Sequence, residues 1–321
     1  MKRRSFLCLM AASVIGATPM LSQASKHPAR IVVSFSAGGP VDMVARILAE
    51  QLGKELNRTV IVDNKPGANG FLGAQEVSRS KPDGNTIWIS SVGTAAINPS
   101  LFRGLPYDMQ KDFRPVSLIA NNVEVFVVNA EVPAGSAVEF IEHAKSAKTS
   151  PAIASSGVGG IPHLAMLQLK QATDVDFLHV PYRGMAQAIS DVVSGQVAGV
   201  FADVAAVLPQ IRAGRLRPLG IAASKRHPAL PEVPTFEEQG LASVDSNNWY
   251  GLFVPAKTPD GIVENLNVAV RRAMENKAVK EHLSQAGTLP QASTAEELKR
   301  ILDTDTAKWG ALIKANDVRP E

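Results

Sequence analysis

The chain has 321 residues, 45% of them hydrophobic, with 33 Lys and Arg against 30 Asp and Glu, enough for one large or two ordinary domains with real cores. The positive excess is matched by Lys2, Arg3 and Arg4 at the start, so the remainder is formally neutral and lacks the basic face that nucleic acid or an acidic membrane surface would demand. The one cysteine, Cys8, falls inside an apolar leader, which excludes an internal disulfide and a cysteine-based metal site.

Residues 1–24 read as a signal peptide: a basic start, an apolar run from Phe6 to Leu21, and small residues at Ser22-Gln23-Ala24. Gly16 and Pro19 break the run, which is too short to span a bilayer. Arg3-Arg4-Ser5-Phe6-Leu7 also suits a twin-arginine signal, so the export route stays open. The expected destination is the periplasm, and nothing after residue 25 reads as a transmembrane span.

Residues 30 to 48 predict a buried strand (31–35), a tight glycine turn and a helix whose apolar Val41, Val44, Ala45, Leu48 and Leu52 recur every three or four positions. The first amides of such a helix lack internal partners and sit at its positive pole, a ready anion seat. The bland alternative is that the joint is pure connection and Asp42 merely caps its own helix. Strands at 59–62 and 86–90 alternate with a helix at 74–79, and Lys81-Pro82-Asp83-Gly84-Asn85 is a turn signal. This βαβαβ order predicts a parallel sheet with a loop-bearing binding edge, on which Ser91 follows the third strand.

After an irregular stretch come strands at 116–120 and 123–128, then a second alternating series: helix 136–147, strand 152–154, helix 161–172, strand 177–180, helix 185–194, strand 197–201, helix 203–213 and strand 217–222. Residues 152 to 169 repeat the opening plan, with a Ser-Gly turn and a helix entered through Pro162. A strand at 249–254 returns, and helices at 259–275, 277–286 and 294–316 finish the chain. The reading is one α/β domain (25–128 plus 249–321) interrupted by another (129–248), joined by two crossing segments that make a hinge.

Catalytic signatures fail. Ser34-Phe35-Ser36-Ala37-Gly38 lacks the first glycine of a nucleophile elbow, which leaves a hydrolase using Ser36 as a weak alternative. The six histidines show no metal-ligand spacing, and Gly157-Val158-Gly159 is a broken dinucleotide fingerprint. No cofactor or metal is expected. His163 either faces a ligand or bonds local backbone. Asp203, at a strand's carboxyl end, is either a ligand residue or an N-cap. Arg183 is either a carboxylate fork or a solvated turn residue. Trp88, Trp249 and Trp309 read as core or hinge packing.

The chain resembles the Bug (TctC-type) extracytoplasmic solute receptors of tripartite tricarboxylate transporters. Gly38-Gly39 with Asp42, Asn64-Lys65-Pro66-Gly67-Ala68, Lys81-Pro82-Asp83-Gly84, Ile97-Asn98-Pro99-Ser100-Leu101, Leu105-Pro106-Tyr107-Asp108, His179-Val180-Pro181-Tyr182, Gly195-Gln196-Val197, Phe201 with Asp203, and Trp249-Tyr250-Gly251 carry the likeness along the whole mature chain. It implies an α/β, two-domain type II periplasmic-binding-protein fold with the ligand cleft between lobes. It also implies a non-catalytic, monomeric receptor that closes on a small carboxylate and hands it to membrane transporter subunits; signalling to a membrane sensor kinase is the alternative. The resemblance places ligand contacts at Ser36, Ala37, Gly38 and Gly39, at Ala68, Asn69 and Gly70, and at Ser156, Gly157, Gly159 and His163, with Asp203 receiving an ammonium group in amino-acid-binding members. Ser36-Ala37 before the glycines, Pro40 after them, and Gly160-Ile161-Pro162 in place of a hydroxyl-rich step depart from the family pattern. They point to a ligand less polar than citrate or glutamate, an aromatic or short aliphatic carboxylate.

Overall fold

The computed structural model describes residues 27–320, so the expected signal peptide and Cys8 lie outside the described residues. Glycine and proline punctuation sets the order of the first half: β1 (Ala29–Val33), α1 (Pro40–Glu55), β2 (Val60–Asn64), α2 (Phe71–Ser78) and β3 (Thr86–Ser91). A wide π-helical turn at Gly93–Ile97 then runs into two short helices, α3 (Asn98–Leu101) and α4 (Met109–Asp112). β4 (Phe113–Asn122) and β5 (Glu124–Asn129) follow with one residue between them. The second series is α5 (Ala137–Ser146), β6 (Ala152–Ser155), α6 (Ile161–Thr173), β7 (Leu178–Pro181), α7 (Met185–Val193), β8 (Gly199–Asp203), α8 (Val204–Arg212) and β9 (Leu216–Ile221). β10 (Asn248–Pro255), α9 (Asp260–Glu275), α10 (Lys277–Gln285), β11 (Leu289–Pro290) and α11 (Ala295–Ala315) complete the chain.

These strands form two sheets, β11-β4-β10-β3-β1-β2 and β7-β6-β8-β5-β9. β1 to β3 pair in parallel, as do β6, β7 and β8, because helical crossovers connect them. The expectation of parallel sheets fails elsewhere. β10 runs antiparallel to β3 and β4, and β5 antiparallel to β8 and β9. β10 comes back from the second lobe and β5 enters it, so each meets its neighbours head to tail.

One boundary also moves. β5 belongs to the second sheet, so residues 124–128, read with the first domain, lie with the second, and the chain passes between sheets at Val123. β4 and β5 are almost one continuous extended run, and no glycine or proline marks the passage.

Burial explains the unbroken apolar character of the central strands. On one face of the first sheet, Ile31, Val33, Ile87 and Leu252 pack with the α1 stripe Val44, Ala45, Leu48 and Leu52 and with Leu266 and Val270 of α9. On the other face, Val32 and Trp88 belong to a cluster that continues through Leu101, α6 and Trp309 of α11 to Phe126, Phe140 and Phe201 of the second lobe. All three tryptophans are fully buried. α11 starts at a capping box, in which Thr294 Oγ1 accepts from the Glu297 amide and Glu297 Oε2 from the Thr294 amide.

A buried polar knot fastens the C-terminal helices to β4. Asn267 Nδ2 donates to the Val116 carbonyl at 2.7 Å and to the Ser293 carbonyl at 2.8 Å, and Ser117 Oγ also donates to Ser293 at 2.9 Å. Removing the Asn267 carboxamide takes one donor from each of two buried carbonyls, at a cost of about 1–3 kcal/mol. Asn267→Ala is therefore expected to lower the urea midpoint without changing the slope of unfolding; an unchanged midpoint would show the knot to be energetically idle.

Candidate functional site

The loop after β1 does not present its amides as the bare glycine pattern suggests. Asp42, buried in the first turn of α1, accepts from the Gly38 amide at 2.9 Å, while its other oxygen takes Asn64 Nδ2 at 2.9 Å. Arg46 Nε adds a third bond, from the next turn of the helix. Burial would raise this carboxyl, but the bonds from Arg46, Gly38 and Asn64 hold it below its usual value. The Gly38 amide is thus taken by the helix's own carboxylate. Ser36, Ala37 and Gly38 lie exposed on the loop, and Gly39 donates back to the Ser36 carbonyl.

The second glycine corner is likewise bonded within itself. The Gly157 amide donates to Ser155 Oγ at 3.1 Å, Gly160 to the Gly157 carbonyl at 3.4 Å, and Gly159 to His163 Nδ1 at 3.0 Å. Because His163 Nδ1 accepts, the ring is neutral with its proton on Nε2. It stacks on His179 with centroids 3.8 Å apart and planes within 1°. Burial, with the neighbouring His179, pushes His163 down to about 4. His179 Nε2 lies 2.6 Å from Ser155 Oγ. This pair of imidazoles holds the loop from behind.

Between the corners, where the carboxyl ends of β3, β6 and β7 face one another, lies a cleft of about 500 Å³. Phe35, Asn69, Ser91, Thr94, Asn98, Leu101 and Phe102 line it from the first lobe, and residues 156–160 with Pro181, Tyr182 and Arg183 from the second. Of the residues expected at the ligand, Asn69, Ser91, Ser156, Gly157 and Gly159 meet here. Ser36 to Gly39 do not reach it, though their neighbour Phe35 does; Ala68 opens the short turn that Asn69 continues. Gly70 sits behind the wall, where a Cβ would come within 2.7 Å of Thr94 Oγ1. His163 and Asp203 are also outside the lining.

The residues that pattern reading overlooked as contacts are chiefly Thr94, Asn98, Leu101 and Phe102. They follow β3 through the π-helical turn, a local geometry often found at functional sites but unmarked by glycine periodicity. Asn98 Nδ2 donates to the Asn69 carbonyl at 2.9 Å, fixing Asn69 at φ +52°. Among the described residues the lining offers hydroxyls and carboxamides, aromatic and aliphatic walls, one arginine and no carboxylate. Such a cavity suits an anion with an apolar body. No group of three or more His, Cys, Asp or Glu able to hold a metal occurs among the described residues.

The profile of the Tripartite tricarboxylate transporter family receptor matches residues 44–318. The chain belongs to that family. It is 35% identical over 288 residues to the UPF0065 protein in the tcbD-tcbE intergenic region of Pseudomonas sp. strain P51, covering 89% of this chain and 85% of the relative. Among solved structures, it resembles MatC from Rhodopseudomonas palustris with bound malate (32% identity, TM-score 0.75, covering 89% and 98% of the two chains). It also resembles R. palustris Rpa4515 with adipate (29% identity, TM-score 0.80, covering 92% and 98%). The family comprises periplasmic solute-binding receptors, not enzymes. No helix among the described residues is long and apolar enough to cross a membrane.

In this receptor, Asp203 sits at the crossing between lobes. It is the antiparallel register partner of Glu124 and accepts from Asn248 Nδ2 at 3.3 Å. Glu124 is 2% exposed, and its Oε2 has no partner among the described residues. Asn122 Nδ2 donates to the Tyr250 hydroxyl at 2.5 Å in the same network. Burial raises Asp203 to about 6, against the opposing bond from Asn248. Burial, and then the charge of Asp203, push Glu124 well above the carboxylate range.

A carboxyl raised above its unfolded value binds its proton more tightly in the folded state, so it stabilises the receptor below about pH 4 and that contribution is lost as pH rises through about 6. Asp203→Asn should consequently raise the melting temperature at pH 8, on the order of 2–4 °C, with the difference gone at pH 4; a lower melting temperature at both would mark the aspartate as a structural anchor. Gly159, at φ +76°, would place a Cβ 2.4 Å from Leu101 Cδ2 of α3. Gly159→Ala is expected to lower both thermal stability and ligand affinity, since the chain conformation and the cleft floor are strained together; an unaltered melting curve would show that Leu101 yields freely.

Proposed function

We propose that this protein captures a small carboxylate between its lobes and delivers it to the membrane subunits of a tripartite-type transporter. The observation that carries the reading is the composition of the cleft wall: hydroxyl groups from both lobes and carboxamides from the first, with no acidic side chain among the described residues. A carboxylate lost to water recovers its hydrogen bonds there, whereas an ammonium group would find only neutral acceptors. Family membership supports the reading, as do malate and adipate in the two related structures.

The apolar share of the wall, from Phe35, Ile97, Leu101, Phe102 and Val158, favours a body less polar than citrate. Lobe closure would shed water from this surface and strengthen the polar contacts. Delivery then requires a membrane partner that distinguishes the closed form from the open one.

Calorimetric titration of the purified receptor with a panel of aliphatic and aromatic carboxylates is expected to give one-to-one binding, with citrate weaker than less polar acids. Ser91→Ala should weaken the best ligand by about 1 kcal/mol, or roughly fivefold. Binding of neutral or cationic solutes with no carboxylate bound at all would overturn the proposal.

A further inference from the structure

Among the described residues Arg183 is the one charged side chain lining the cleft. It is exposed, and it makes no hydrogen bond or ion pair with any described residue. The two nearest acids along the chain are already engaged, Asp176 by Lys170 Nζ at 2.5 Å and Asp191 by the Tyr182 hydroxyl at 2.6 Å.

Its backbone is nonetheless firmly placed. Pro181 is the register partner of Ser155, and the Tyr182 amide donates to the Ser155 carbonyl at 2.9 Å. Arg183 therefore leaves β7 one strand spacing, about 4.8 Å, from the chain that carries Ser156. Gly184, which follows it, has nothing within 4 Å of the position a Cβ would take. Arg183 lines the cleft from the second lobe, and Ser91, Thr94 and Asn98 line it from the first.

A single carboxylate held by neutral donors needs no counter-charge in this wall. A second carboxylate on the same ligand would, and a planar guanidinium satisfies it with two parallel hydrogen bonds. The stretch between the polar groups is covered by Phe35, Leu101, Phe102 and Val158, which offer contact but no hydrogen bonds. We propose that Arg183 sets the charge selectivity of the receptor by pairing with a distal carboxylate, so that acids bearing two carboxylates joined by an apolar spacer bind in preference to the matching monocarboxylates. This inference rests on the carboxylate reading above and adds to it the residue that counts the charges.

The test is calorimetric titration of wild type, Arg183→Gln and Arg183→Lys with linear α,ω-dicarboxylates and with monocarboxylates of equal length, at low and high salt. Wild type should bind the best dicarboxylate about tenfold tighter than its monocarboxylate match. Arg183→Gln should bring that ratio close to one, and Arg183→Lys should restore part of it, because an ammonium supplies the charge without the fork. The wild-type preference should also shrink as salt rises. A preference that survives Arg183→Gln, or equal binding of both classes by wild type, overturns the role of Arg183 and leaves carboxylate capture standing. Binding of neither class by wild type overturns carboxylate capture and this inference with it.

Discussion

The antiparallel pairing of β4 with β10 is the constraint on which the two-lobed arrangement rests. Eight register pairs run from Asn248 opposite Asn122 to Pro255 opposite Phe113, with irregularities beside Gly251 and Phe253. One strand leaves for the second lobe and the other arrives from it, so the lobes are joined by two adjacent segments rather than one. Two neighbouring links restrict relative motion far more than a single flexible linker does. They keep the carboxyl ends of β3 and β6 facing the same gap, which is what allows hydroxyls from both lobes to meet a single ligand.

The site works by division of labour. Asp42 behind the first corner, and the stacked His163 and His179 behind the second, fix loops whose glycine amides are already engaged. Side chains from the turn after β3 and from the loop after β6 then supply the contacts. Rigid loops lose little conformational freedom on binding, so weak individual hydrogen bonds suffice. Selectivity follows from which groups are present and which are missing: among the described residues no acid lines the cleft, and its one base has no partner.

Much of this architecture was legible in the residues. Glycine- and proline-bounded apolar runs placed almost every strand and long helix within a residue or two, since buried strands in α/β sheets leave little room for polar residues. The passage from β4 to β5 was not legible, because an extended chain that changes sheets needs no turn. Nor were α3 and the π-helical turn before it, whose short span gives no period to read. Asn69, Ser91 and the Ser156 to Gly159 corner were accessible as loop residues at strand ends. The withdrawal of residues 36 to 39 follows from Asp42, whose position three residues beyond Gly39 lets its side chain reach back to the loop amide. That signal was present in the spacing of Asp42 from the glycine pair.

The apolar cluster that runs from Trp88 through Leu101, α6 and Trp309 to Phe201 has a consequence for how the protein is made and lost. Neither lobe owns a complete interior: part of the surface of each is sealed only by the other and by the C-terminal helix. α11 is synthesised after both halves that it seals, so the seam between them stays open until this helix has been made. Until then the nascent protein carries an unsealed greasy seam, and a chain cut short ahead of Trp309 would carry it permanently, making truncated products prey for proteases rather than half-active receptors.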